Sequence, residues 1–129
     1  MNRIVIRSMK IDKADGFPKL TPNKTSGLGI RRNIDIKLDK EGFVHPEVGG
    51  LSAYIPPGSN IHENFRPPKS KNAIWMLDLD VLHHRLLCYS LDSESRSHGV
   101  IQPVVSMSYS EFVDNINQTR MDWIRYDTI

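Results

Sequence analysis

Apolar and polar positions alternate from the start of the chain. In Arg3–Met9, RIVIRSM, β-branched residues alternate with Arg and Ser, which predicts a strand. Gly29–Asp39, GIRRNIDIKLD, alternates more regularly. Ile30, Arg32, Ile34, Ile36 and Leu38 fall on one face, and Arg31, Asn33, Asp35 and Lys37 on the other. That pattern predicts a half-buried strand with a polar outer face, ended by a DKEG turn at Asp39–Gly42. Leu51–Ile55 reads as a further strand, entered through Gly49 and Gly50. Ala73–Leu82, AIWMLDLDVL, is the most apolar segment and predicts a central strand followed by a short helical turn near Asp80. The next run, RLLCYSLD, fits either a short strand or the end of that helix. Gly99–Met107, GVIQPVVSM, predicts another strand, with Pro103 favouring an edge or a bulge.

One segment has a clear helical period. Ser108 and Glu111, three residues apart, form a capping box. Phe112, Ile116, Thr119 and Trp123 follow as one stripe, so the spacing predicts an amphipathic C-terminal helix with Trp123 in the core. Glu111 and Asp114 lie early and Arg120 and Arg125 late, as the helix dipole favours, with Asp122 the exception. Lys13–Gly27 and Ile55–Asn72 are rich in Pro, Gly and polar residues and read as long loops; SESRSHG reads as a turn. Loops of such length inside a compact domain tend to be functional or mobile. Several short strands, long loops and few helices predict an α+β fold with a mostly antiparallel or mixed sheet. Neither a G-x-G-x-x-G nor a Walker loop is present.

Composition narrows the class. A chain of 129 residues, 39% hydrophobic and 25% charged, suits a single soluble domain spanning 1–129 with its own core. The only cysteine, Cys88, lies in an apolar run and reads as a buried structural thiol, so no disulfide framework exists. No apolar run approaches the ~20 residues of a membrane span. The N-terminus, broken by Arg, does not read as a secretory signal. Charge is uneven: residues 1–40 hold ten Lys/Arg against four Asp/Glu, a balance of +6, and residues 41–129 hold seven against eleven, a balance of −4, giving the net +2. The basic third suits a phosphate-bearing ligand or an acidic partner, and equally a solvated basic face. It is too weak a signal for nucleic-acid binding.

Candidate chemistry is sparse. His45, His62, His83, His84 and His98 show no metal-ligand spacing, so no metal site is expected. His98 stands out because it enters a strand through Gly99. Ser52 lacks the G-x-S-x-G elbow of a serine nucleophile and better suits hydrogen bonding to a sugar hydroxyl or an amide. Gly49 and Gly50 mark a close approach to the backbone, by a ligand or by a neighbouring loop. Arg7, on the first strand, is a candidate phosphate clamp, with Arg31, Arg32 and Arg66 as rivals.

Taken in order, Arg7, then G-x-V-x-P-x-x-G-G-x-S over Gly42, Val44, Pro46, Gly49, Gly50 and Ser52, then H-x-x-I-x-P-x-x-x-M over His98, Ile101, Pro103 and Met107, then Trp123, form a set. The set resembles the small toxin domain of a type VI secretion effector of Pseudomonas and its relatives, which has an ADP-ribosyltransferase-like fold. The resemblance implies a split sheet with an NAD-binding cleft between two small sheets and NAD as a substrate. Arg7 would hold a phosphate or ribose, and Ser52 the nicotinamide ribose, with Gly49, Gly50 and Tyr54 beside the dinucleotide. It further implies action in the cytoplasm of the producing or target bacterial cell, and a cognate antitoxin or immunity protein as partner, with no metal and no membrane. The sequence departs from the pattern where a catalytic Glu is expected. The strand carries Gln102 instead, Glu111 belongs to the helix cap, and Glu47 lies in the glycine segment. Gln102 binds a hydroxyl but is no general base, a task His98 could take. Two alternatives follow: a non-enzymatic binding module on the same fold, or an NAD-independent ribonuclease toxin.

Overall fold

The computed structural model describes residues 3–126. Six strands make one antiparallel sheet: β1 (Ile4–Met9), β3 (Leu51–Tyr54), β4 (Ala73–Asp78), β5 (Leu87–Leu91), β6 (His98–Pro103) and β8 (Ile124–Arg125), in the order β5-β6-β3-β1-β4-β8. A second, two-stranded ribbon pairs β2 (Phe43–Val44) with β7 (Met107–Ser108). The helices are a single turn, α1 (Asp80–His83), and α2 (Tyr109–Asn117). The architecture is therefore α+β with an antiparallel sheet and few helices.

The sheet holds together unevenly. β1 and β4 pair along six residues, Ile4↔Asp78 through Met9↔Ala73. β1 and β3 meet at one pair only, Ile6↔Tyr54. Continuing that register would set Ser8 opposite Ser52, yet the strands part there. The sheet thus divides into a β5-β6-β3 half and a β1-β4-β8 half joined at a thin seam. One face of both halves packs the main core, with Val5, Met9, Leu51, Ala53, Trp75, Leu77, Leu87, Ile101, Phe112 and Trp123 all buried. On the other face the Ile55–Asn72 loop folds back, and its Ile61 closes a small cluster on Ile6 and Ile74. Burial of side chains this size, at about 25 cal/mol per Å2 of apolar area, is what keeps two weakly joined half-sheets together.

Three expected elements come out differently. The Gly29–Asp39 segment forms no strand. Ile30 and Ile36 are buried, but Ile34 is 70% exposed. Local polar chemistry overrides the alternation: the Asp35 carboxylate accepts from the Arg31 backbone N–H at 2.6 Å, Asn33 takes φ 61°, and the Asn33 side chain accepts from the Leu38 N–H. Asn and Asp bond to nearby backbone and tolerate left-handed conformations, so the segment coils into turns. The C-terminal helix is also shorter than its stripe. The Ser108 cap is made, with the Glu111 N–H donating to Ser108 Oγ at 3.1 Å, but α2 ends at Asn117. Thr119 donates its hydroxyl to the Ile116 carbonyl, competing with the helical ladder, and the chain leaves through a 3-10 turn to join the sheet as β8. Trp123 is core as expected, its indole N–H held by Thr119 Oγ1 at 3.0 Å. The Gly99–Met107 segment is likewise two strands, β6 and β7, separated by a bend after Pro103.

Candidate functional site

A cleft of about 400 Å3 opens where β1 and β3 part. Arg7, Ser52 and Tyr54 line it from the sheet, Thr25, Ser26, Arg31 and Asp35 from the first loop region, and Ile61, Phe65 and Asn72 from the returning loop. Small-molecule sites are of this size and mix of apolar wall and few polar groups.

Strand alternation sends Arg7 toward the core, and the gap between β1 and β3 is what brings its guanidinium to the cleft. Arg7 lies between Val5 and Met9, opposite Trp75, so its side chain leaves β1 on the core side. There the parted seam receives the guanidinium. Nη1 donates to the Ser52 carbonyl at 2.7 Å, and Nη2 to the Thr25 and Gly27 carbonyls at 3.0 Å each. The bond to Ser52 spans the gap where β1 and β3 do not pair, and the other two tie β1 to the first loop region. Every acceptor found is a neutral carbonyl, and the buried Nε has no partner among the described residues. Burial lowers the Arg7 pKa to about 10, against the opposing pull of Asp35 and Tyr54. The group is still charged at neutral pH. Arg31, the other cation of the cleft, is bound by the Asp35 carboxylate in a two-point fork of 2.9 and 3.1 Å. Among the described residues Arg7 is therefore a buried cation with no carboxylate hydrogen-bonded to it, and with Asp35 committed to Arg31 the cleft favours an anion.

Ser52 and His98 meet by register. Ser52 pairs with Val100 and Tyr54 with His98, so Ser52, Tyr54, Val100 and His98 share a face and Ser52 is the diagonal neighbour of His98. Ser52 Oγ lies 2.6 Å from His98 Nε2, and the Tyr54 ring meets the His98 ring edge-on at 4.9 Å. The other imidazole nitrogen, Nδ1, hydrogen-bonds the Asp92 carboxylate. Asp92 comes within reach because the β5–β6 turn closes tightly. Its backbone N–H donates to the His98 carbonyl at 2.9 Å, and Ser95 Oγ accepts from the His98 N–H at 2.9 Å. The result is a continuous Ser52–His98–Asp92 chain ending at the cleft wall.

The remaining candidates separate from this site. Gly49 and Gly50 do not line the cleft; the reading that placed them against a dinucleotide gives way to the neighbouring loop. A Cβ on Gly49, which has φ 125°, would lie 2.2 Å from the Asp35 carbonyl, and one on Gly50 would lie 2.1 Å from the Ile101 carbonyl. The chain's own backbone fills that space. Gln102 is buried on β6 away from the cleft and accepts from the Glu47 N–H at 2.7 Å, clasping the glycine segment to the sheet. Arg32 stacks over the Tyr109 ring beside a different groove, and Glu111 is occupied at the α2 cap. Cys88 is half-buried and free. Among the described residues no group of His, Cys, Asp and Glu is arranged to hold a metal, and no helix is long and apolar enough to cross a membrane. Sequence reading passed over Asp92; its one signal was a carboxylate six residues before a strand-leading histidine across a turn.

Comparison with protein families, with curated proteins and with solved structures finds no match for this chain. The reading of the site rests on its own geometry.

Proposed function

We propose that this chain is a bacterial toxin that binds NAD in the cleft at the sheet seam and transfers ADP-ribose from it to a protein or nucleic acid. The observation that carries the reading is that Arg7 and Ser52 line one cleft, the Arg7 guanidinium reaching it through the parted seam, where Nη1 bonds the Ser52 backbone carbonyl at 2.7 Å. A guanidinium that lines the cleft and hydrogen-bonds only neutral carbonyl oxygens suits a pyrophosphate by its charge. The Ser52 hydroxyl suits a ribose hydroxyl, and the Tyr54, Ile61 and Phe65 side chains offer apolar wall for a ring. The thin β1/β3 pairing supports the split-sheet fold that the sequence resemblance implies. Toxin action in a bacterial cytoplasm, and neutralisation by a cognate immunity protein that covers the cleft, follow from that resemblance.

The Ser52–His98–Asp92 chain favours a second reading, a serine hydrolase, since acyl transfer uses this connectivity. Against it, Ser52 lies within a strand rather than on the strand-to-helix turn that exposes such nucleophiles.

Incubation with NAD and a cell lysate separates the readings. Transfer predicts nicotinamide release and a labelled product, both reduced roughly 100-fold or more in Ser52→Ala. Covalent labelling of Ser52 by a fluorophosphonate, with ester hydrolysis and no use of NAD, selects the hydrolase. Growth arrest on expression with neither reaction overturns both in favour of a binding toxin, and RNA cleavage without NAD in favour of a ribonuclease.

A further inference from the structure

The proposed transfer lacks an uncommitted carboxylate in the cleft: Asp35 is forked to Arg31, and Gln102 is an amide turned away to Glu47. We propose that Asp92, from the β5–β6 turn, supplies the missing negative charge at one remove, as a positioning residue acting through His98 on Ser52. This inference rests on the NAD-transfer reading of the cleft.

The hydrogen-bond inventory sets the direction of the chain. An ionised carboxylate only accepts, so the nitrogen facing Asp92, Nδ1, carries the ring proton. In the neutral imidazole Nε2 is then an acceptor, and the Ser52 hydroxyl at 2.6 Å donates to it. That leaves the Ser52 oxygen lone pairs directed away from His98, on a residue that lines the cleft. Negative charge on Asp92 polarises the ring and, through it, the serine oxygen. Such an oxygen favours the positive charge that develops on the ribose as the glycosidic bond breaks.

The proton has a complete route. The bond from ribose C1′ to the nicotinamide nitrogen breaks, and its electron pair leaves with nicotinamide. The acceptor's oxygen or nitrogen bonds C1′ and loses its proton to Ser52 Oγ. Ser52 passes its own proton to His98 Nε2, and the imidazolium so formed is stabilised by Asp92.

A second chain in the same molecule shows what a structural version looks like. His45 Nε2 meets Asp39 at 2.7 Å and His45 Nδ1 meets Ser106 Oγ at 2.6 Å. Asp39 also accepts from the Phe43 and Glu41 N–H groups, which hold a turn; the Phe43 bond, then the His45 bond, then the Glu41 bond lower its pKa. The Asp92 side chain, 44% exposed, makes no such backbone bonds among the described residues, and its serine opens on the cleft. Asp92 is positioned to serve the histidine and not the loop.

The test uses the full chain and the Asp92→Ala, Asp92→Asn and Ser52→Ala variants, each checked for folding by circular dichroism. Nitrogen NMR of His98 reads the tautomer directly. The expected result is a proton on Nδ1 in the parent and a shift toward Nε2 in Asp92→Ala, with nicotinamide release reduced roughly 100- to 10,000-fold and NAD binding retained. A purely structural Asp92 would leave the tautomer and the rate of the folded variants unchanged, and that outcome overturns the inference while leaving the transfer reading intact. A parent that controls the tautomer through Asp92 but releases no nicotinamide defeats the transfer reading instead, and with it the assigned role.

Discussion

Arg7 and Gly49 show how differently single residues bear on this cleft. Arg7 bridges the seam and, on the proposed reading, would also offer charge to a ligand, so its removal is ambiguous, whereas Ser52 makes a cleaner probe of that reading. Gly49 is a structural position. With φ 125° and a Cβ that would sit 2.2 Å from a backbone oxygen, Gly49→Ala has to displace the Asp35–Ile36 backbone. Overpacking and left-handed strain together predict a loss of roughly 2–4 kcal/mol, read as a lower urea midpoint. A ligand-contact glycine would instead lose NAD binding at unchanged stability. Both glycines were legible in the sequence as points of close approach. Which neighbour approaches was not, because Asp35 and Ile101 lie 14 and 51 residues from Gly49 and Gly50.

At the scale of elements, short strands and a single capped helix divide the work. α2 packs Phe112 and Ile116 into the core and depends on the Ser108 cap for its first turn. Ser108→Ala leaves the Glu111 N–H without its acceptor, and thermal unfolding is expected to show a loss of about 1 kcal/mol with the cleft chemistry unaffected. The cap was readable because it is local: two residues three apart. The end of α2 and the absent strand at Gly29–Asp39 were not, since alternation and stripe record which side chains face the core and not the hydrogen-bond pattern beneath them. Asn33 and Asp35 held the counter-signal, side chains that bond their own backbone.

For the whole molecule, buried titratable groups set a stability profile at alkaline pH. Tyr89 is raised to about 12, first by burial and then by the Asp92 and Tyr54 charges. Above its unfolded value of about 10 the unfolded chain loses this proton while the fold keeps it, so stability falls as pH rises toward 12. Arg7 works in the opposite sense. Its folded pKa of about 10 lies below its unfolded value, so between them the fold binds fewer protons and gains stability with rising pH. The two oppose each other over the same range. Tyr89→Phe removes the falling contribution, so urea midpoints at about pH 9 and about pH 11 should show the variant gaining on the parent at the higher pH. A constant offset, from the lost bond to the Ala53 carbonyl, would show that Tyr89 titrates normally.

By itself the sequence determined what depends on near neighbours: an α+β chain of short strands, the capped helix, the buried Trp123, and Arg7 and Ser52 as the residues to watch. Only the tertiary structure decided how β1 and β3 part, which side of Ser52 meets a histidine, and that Asp92 stands behind it. Those facts depend on strand register and on the length of a closing turn. A chain expresses them only once its distant segments are packed against one another.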